Sequence, residues 1–214
     1  MANNFDKNWT TVNNNYPLND KEVERYISVK PSANQLALVD KPFYTFMHFG
    51  MNTATDREWG AGVEKATDFT IKSINAKQWV ETAKSAGATG VILTCKHHDG
   101  FCLWPSEYTS FCVKNSSYKG DIVKEVSDEC HKQGMDFGVY LSPWDMHDER
   151  YGTDAYNDYF CNQLTELLTN YGEIFEVWFD GAKGSNAKKF EYDWQRYYDL
   201  IRKLQPKANC YLRS

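Results

Sequence analysis

The sequence predicts an α/β protein built on a parallel sheet. Three observations carry this. Short, nearly continuous apolar runs alternate with amphipathic helical stretches from residue 42 onward, the pattern of strands covered by helices. Polar, reactive residues collect just past the C-terminal end of each apolar run, the edge where parallel α/β folds build their sites. The segment after the first run, His48 to Thr53, carries neither G-x-G-x-x-G nor a P-loop, so a nucleotide-binding open sheet has no fingerprint here. Two architectures fit this rhythm: an open doubly wound sheet, and part of an eight-stranded (β/α) barrel.

Residues 1–41 are rich in Asn, Asp, Lys and Thr and read as an N-terminal extension with at most one helix, near 21–29. Residues 42–49 form the first strand. Residues 75–87 form a helix, with Asn75 as cap, Gln78 at the capping-box position and Gly87 as stop. The run 88–95 is the second strand. The next helix spans 121–132, with Ile122, Val123, Val126 and Cys130 on one face and Gly134 ending it. The third strand is 136–141. Thr153 caps a longer helix that Gly172 stops. The fourth strand is 174–179, a helix covers 189–204, and 210–212 begins a fifth strand.

With 214 residues, 42% of them hydrophobic and 25% charged, the chain has the balance of a globular domain with a substantial core. The net charge of −5 gives a nucleic-acid partner no electrostatic support. No apolar run reaches the ~18 residues of a membrane span. Residues 1–10 lack the apolar core of a signal peptide, so a cytoplasmic location is expected. Six cysteines without a C-x-x-C pair read as free thiols in a reducing compartment.

The strand ends deliver His48, then Lys96, His97, His98 and Asp99, then Tyr140 with Ser142 to Asp145, then Asp180. Packing alone does not account for four strands bringing such residues to one rim. Adjacent His97 and His98 converge only if the strand has ended before them, and Asp99-Gly100 supports that. Cys95, His97, His98 and Asp99 are all metal-ligand types, but no second spaced cluster accompanies them; a metal-dependent hydrolase using these four is one rival reading. Asp180 follows the run Phe175 to Phe179, which places a carboxylate among rings in low dielectric. Trp59, Trp104, Trp144 and Trp178 lie in or beside the same segments. Rings beside His, Glu and Asp suit a sugar ligand, although at least one of the four is expected only to pack. No nucleophile elbow is present, and hydrolysis with an Asp nucleophile leads.

At these residues the sequence resembles glycoside hydrolase family 29, the α-L-fucosidases. The matching segments are His48-Phe49-Gly50, Glu58-Trp59, Lys96 to Phe101 with Leu103-Trp104, Tyr140 to Asp145 and Val177 to Ala182. The likeness runs from about residue 31 to about residue 206. It implies a (β/α)8 TIM-like barrel, here its N-terminal half of about four βα units plus a strand stub, with 42–214 as an incomplete catalytic barrel. It also implies retaining hydrolysis of terminal α-L-fucose, with Asp180 as nucleophile. His48, His97, His98, Glu58 and Trp59 match fucose binders, Tyr140 a residue beside the nucleophile, and Trp178 an aromatic wall. No metal and no other cofactor is implied. The stretches 145–152 and 156–160 resemble the branch that prefers α-1,3 and α-1,4 linkages. The implied partner is a fucosylated oligosaccharide or glycoconjugate, with neither nucleic acid nor membrane.

The match departs near its end. The family's acid/base Glu lies some tens of residues after the nucleophile. Only 34 residues follow Asp180, and their sole Glu, Glu191, is expected inside a helix. Retaining hydrolysis needs both carboxyl groups. A chain truncated before its acid/base is therefore expected, with a vestigial fucose-binding fragment as the alternative, and self-association through an open sheet edge.

Overall fold

In the computed structural model, residues 19–185 and 187–212 are described; the region read for a signal peptide lies outside them. Five strands form one sheet: β1 (Thr45–Met47), β2 (Gly90–Lys96), β3 (Asp136–Leu141), β4 (Glu176–Phe179) and β5 (Asn209–Leu212). Every pairing is parallel and the strand order is β1-β2-β3-β4-β5. A doubly wound sheet reverses its strand order partway; an unbroken sequential order is the winding of a (β/α) barrel.

Four helices pack on the sheet: α4 (Ala76–Ser85), α5 (Ile122–Lys132), α6 (Asp154–Asn170) and α7 (Trp194–Leu204), with α1 (Asp20–Ile27), α2 (Ala33–Val39) and short α3 (Met51–Thr55) preceding them. The local chemistry explains their bounds. Asn75 Oδ1 accepts from the Gln78 amide at 3.0 Å to cap α4, and Asp121 does the same for α5 through Lys124 N at 2.9 Å. The reciprocal half of the expected box at α4 does not form, because the Gln78 side chain reaches forward to Thr82. Thr153 sits at the start of α6, but its hydroxyl donates to the Arg150 carbonyl instead of capping.

Alternate strand residues divide the core. Val91, Leu93, Cys95, Phe137, Val139, Leu141, Val177 and Phe179 join α4–α7 in one large apolar cluster. Ile92, Tyr140 and Phe175 form a second cluster on the opposite face with Tyr44 and Trp178. Helices on one face and rings on the other correspond to the outside and inside of a barrel wall.

Two further sequence expectations are corrected. The segment 19–41 holds two helices, not one. Ser32 caps α2 through a full capping box, Leu38 packs on the inner cluster, and Asn34 bonds Pro206 and Asn209. α2 thus lies against the N-terminal ends of the strands. The last helix begins at Trp194 rather than near residue 189, because Phe190 and Tyr192 are drawn onto the rings of Tyr151 and Tyr156 and Asp193 supplies the cap. Glu191 consequently stands in a loop, not in a helix.

Candidate active site

The site begins with an irregularity in β2. Thr94 pairs with Tyr140 and Lys96 with Leu141, so two residues of β2 face one of β3. This bulge puts both Cys95 and Lys96 on the helix side. Lys96 is fully buried there, with Nζ 3.1 Å from Asp145 Oδ2 and 2.9 Å from Gln163 Oε1. The strand ends at once, and Gly100 N–H closes a turn on the His97 carbonyl at 3.0 Å. Gly100 has φ +87°, and a Cβ there would stand 2.5 Å from Asp145 Oδ1, so the turn requires glycine. The two histidines are no longer bound to strand alternation, and their rings lie 4.2 Å apart.

Asp180 immediately follows β4. Its Oδ2 accepts from the Tyr140 hydroxyl at 3.0 Å and lies 3.9 Å from His98 Nε2; its Oδ1 accepts from Ala182 N at 2.8 Å. Burial, reinforced by the Asp180 charge, holds the Tyr140 phenol well above its usual range, so it stays a donor. Burial lowers His97 to about 2, with His98 and His48 adding to the effect. Burial lowers His98 to about 4 against the opposing pull of Asp180. His48 is lowered mainly by burial, while Asp180 and Glu58 act the other way. All three are neutral at pH 7.

The remaining sequence candidates fall around this group. His48 stands edge-on to His97 at 4.6 Å, and His97 stacks on Tyr140 at 5.6 Å. Trp59 stands edge-on to both His98 and Trp144 and is 39% exposed. Trp178 continues an inner aromatic wall through Phe46 and Tyr211. Glu58 is exposed at the rim, and its backbone carbonyl accepts from Asn52. Trp104 is the packing exception: it is buried, and its indole N–H donates to Glu166.

The four metal-ligand types singled out in sequence do not converge. Cys95 lies in the helix-side cluster. Asp99 is buried, with Oδ1 holding the Phe101 amide and burial raising its carboxyl to about 7. The group that does converge among the described residues is His97, His98 and Asp180, each with one polar atom within 4.8 Å of the others. Sequence reading missed Asn52, which bonds His97, and placed Ser142 at the rim without giving it a role; it bonds His98. Ser142 had a signal, being the first residue past β3; Asn52 sits in a short helix that no periodicity announces. A cleft of about 520 Å³ opens beside Asp180 and is lined by Glu191, Tyr192 and Trp194 among others.

The C-terminal rim of this barrel wall thus sets a carboxylate among neutral histidines and aromatic rings, a set of groups suited to binding a sugar. The chain belongs to the α-L-fucosidase family, whose model matches residues 31–214. It is 50% identical over 182 residues to alpha-L-fucosidase 1 of Arabidopsis thaliana, covering 83% of this chain and 36% of that protein. Its fold superposes on a Bacteroides ovatus putative alpha-L-fucosidase with a TM-score of 0.82 at 52% identity, covering 85% of this chain and 32% of the other. A Ruminococcus gnavus fucosidase solved in complex with fucose gives a TM-score of 0.79 at 39% identity, covering 86% and 43%. The chain spans about a third of the length of the first two relatives.

Proposed function

We propose that this chain carries the fucose-binding and nucleophile-bearing part of a retaining α-L-fucosidase acting on terminal α-L-fucose, in α-1,3- or α-1,4-linked glycans. The observation that supports it best is the placement of Asp180. Its Oδ2 accepts from the Tyr140 phenol, whose pKa burial raises, and His98 stands beside it. An Asp carboxylate so held attacks the anomeric carbon, the C–O bond to the aglycone breaks with its electron pair going to the aglycone oxygen, which takes up a proton from the acid/base or from water, and a fucosyl ester forms. Water then cleaves that ester. The neutral histidines bind hydroxyls, Trp59 and Trp178 supply ring walls, and a sugar that misfits leaves buried polar groups unpaired.

The test is covalent trapping. 2-Deoxy-2-fluoro-α-L-fucosyl fluoride carries a leaving group that departs without protonation, so labelling depends on the nucleophile and not on a proton donor. Mass spectrometry should find one fluorofucosyl group per chain, on the peptide containing Asp180. Absence of label, or label on another residue, overturns the reading. Self-association through β1 or β5, each with one neighbouring strand among the described residues, is a second proposal, and sedimentation checks it.

A further inference from the structure

Two buried bonds determine which nitrogen of each histidine carries its proton. Ser142 Oγ lies 2.6 Å from the Trp144 carbonyl oxygen. A carbonyl has no hydrogen, so the serine hydroxyl donates there. The same Oγ lies 2.7 Å from His98 Nδ1, and Ser142 is completely buried. With its one hydrogen committed, Oγ accepts from Nδ1–H. His98 Nε2 is then a bare lone pair, and it faces the Asp180 side.

The reverse holds at His97. Asn52 Nδ2 lies 2.8 Å from the Glu58 carbonyl oxygen, which identifies that atom as the amide nitrogen rather than the oxygen. It also lies 3.1 Å from His97 Nδ1. The amide donates one hydrogen to each, so Nδ1 accepts and the proton of His97 resides on Nε2.

We propose that Asn52 and Ser142 are positioning residues that lock the adjacent histidines in opposite tautomers. The pair thereby presents one donor, His97 Nε2–H, and one acceptor, His98 Nε2, to two hydroxyls of a single sugar ring. This rests on the fucosidase reading for the identity of the sugar; the tautomers themselves do not. The arrangement discriminates. The hydroxyl at His98 must donate, so an ether or a fluorine there loses the bond, while the hydroxyl at His97 must accept. It also opposes a metal at the converging His97, His98 and Asp180, because the free nitrogen of His97 already bears a proton.

Long-range ¹H–¹⁵N correlation spectra of the ¹⁵N-labelled chain at pH 7 test this without any turnover. Both side chains are neutral at that pH, so protonated and bare ring nitrogens separate by shift. The expected pattern is His98 protonated at Nδ1 and His97 protonated at Nε2; any other pattern overturns the lock. Ser142→Ala should turn His98 into a mixture of tautomers and weaken fucose binding ~10-fold, with Ser142→Thr restoring both. A Ser142→Ala spectrum unchanged at His98 also overturns it. Titration with L-fucose should shift both Nε2 signals. The expected tautomers with no response to fucose would sink the fucosidase reading and leave the lock standing.

Discussion

Lys96 Nζ and Asp145 Oδ2 form an ion pair 3.1 Å long in which neither side chain reaches solvent. The same ammonium lies 5.6, 5.1 and 5.5 Å from the ring centres of Tyr156, Tyr159 and Phe160. Asp145 Oδ1 accepts from the amides of His147 and Asp148. The pair therefore ties the β2 bulge, which immediately precedes His97, to the loop after β3. It lies beneath the site, not in it. Lys96→Met fills the space but leaves Asp145 uncompensated, and a broken buried pair costs about 3–5 kcal/mol. Chemical unfolding of this variant should show that loss; a loss under about 1 kcal/mol would mean Asp145 finds another partner or a proton.

The neutral histidines predict the acid limb of sugar binding. His98 titrates near 4 and His97 lower still. L-Fucose affinity, measured by calorimetry, should fall as pH approaches 4, when His98 Nε2 gains a proton and stops accepting. A fall already centred near the unperturbed histidine value of about 6.5 would show that burial does not hold these rings neutral.

Much of this was legible in the sequence because strand and rim have different chemistry. The run 136–141 matches β3 residue for residue, since a buried strand bounded by a helix stop has little freedom. The position of Asp180 at the rim was legible for the same reason, being the first polar residue after an apolar strand. What escaped depends on contacts distant in sequence. Asn34 and Leu38 owe α2 its place to Pro206, Asn209 and the inner cluster, and no local pattern encodes that. Glu191 was misread as helical because the aromatic pull of Tyr151 and Tyr156 on its neighbours is tertiary. The roles of Ser142 and Asn52 follow from hydrogen counting, which requires the distances.

Glu176 predicts a pH-dependent stability penalty. It is buried, its Oε2 has no partner among the described residues, and burial raises its carboxyl from 4.5 to about 7. The folded form therefore retains a proton that the unfolded chain has already lost. The stabilising contribution is fully present below about 4.5 and is lost as pH rises through about 7. Glu176→Gln keeps the shape and removes the titration. The variant's melting temperature minus that of the wild type should grow from pH 4.5 upward and level off above 7. A difference independent of pH would mean that Glu176 is solvated or paired when folded.

Asp180 carries the strongest prediction. On the proposed reading it is both the attacking and the departing group in a fucosyl transfer, so no neighbour substitutes for it. Asp180→Gly removes the carboxylate but leaves Tyr140, His98 and the ring walls in place. Hydrolysis of an aryl α-L-fucoside should fall by orders of magnitude from whatever rate the unaltered protein shows, while L-fucose still binds. Azide should then restore part of the rate, because a small anion occupies the vacated volume and attacks the anomeric carbon from the same face. The product, a fucosyl azide, would have β configuration, inverted relative to the substrate, since only one displacement occurs where the native route uses two. Nuclear magnetic resonance of the product reads this directly. A fucosyl azide of retained configuration would place the nucleophile elsewhere in the site, and wild-type turnover in Asp180→Gly without azide would remove Asp180 from the chemistry altogether.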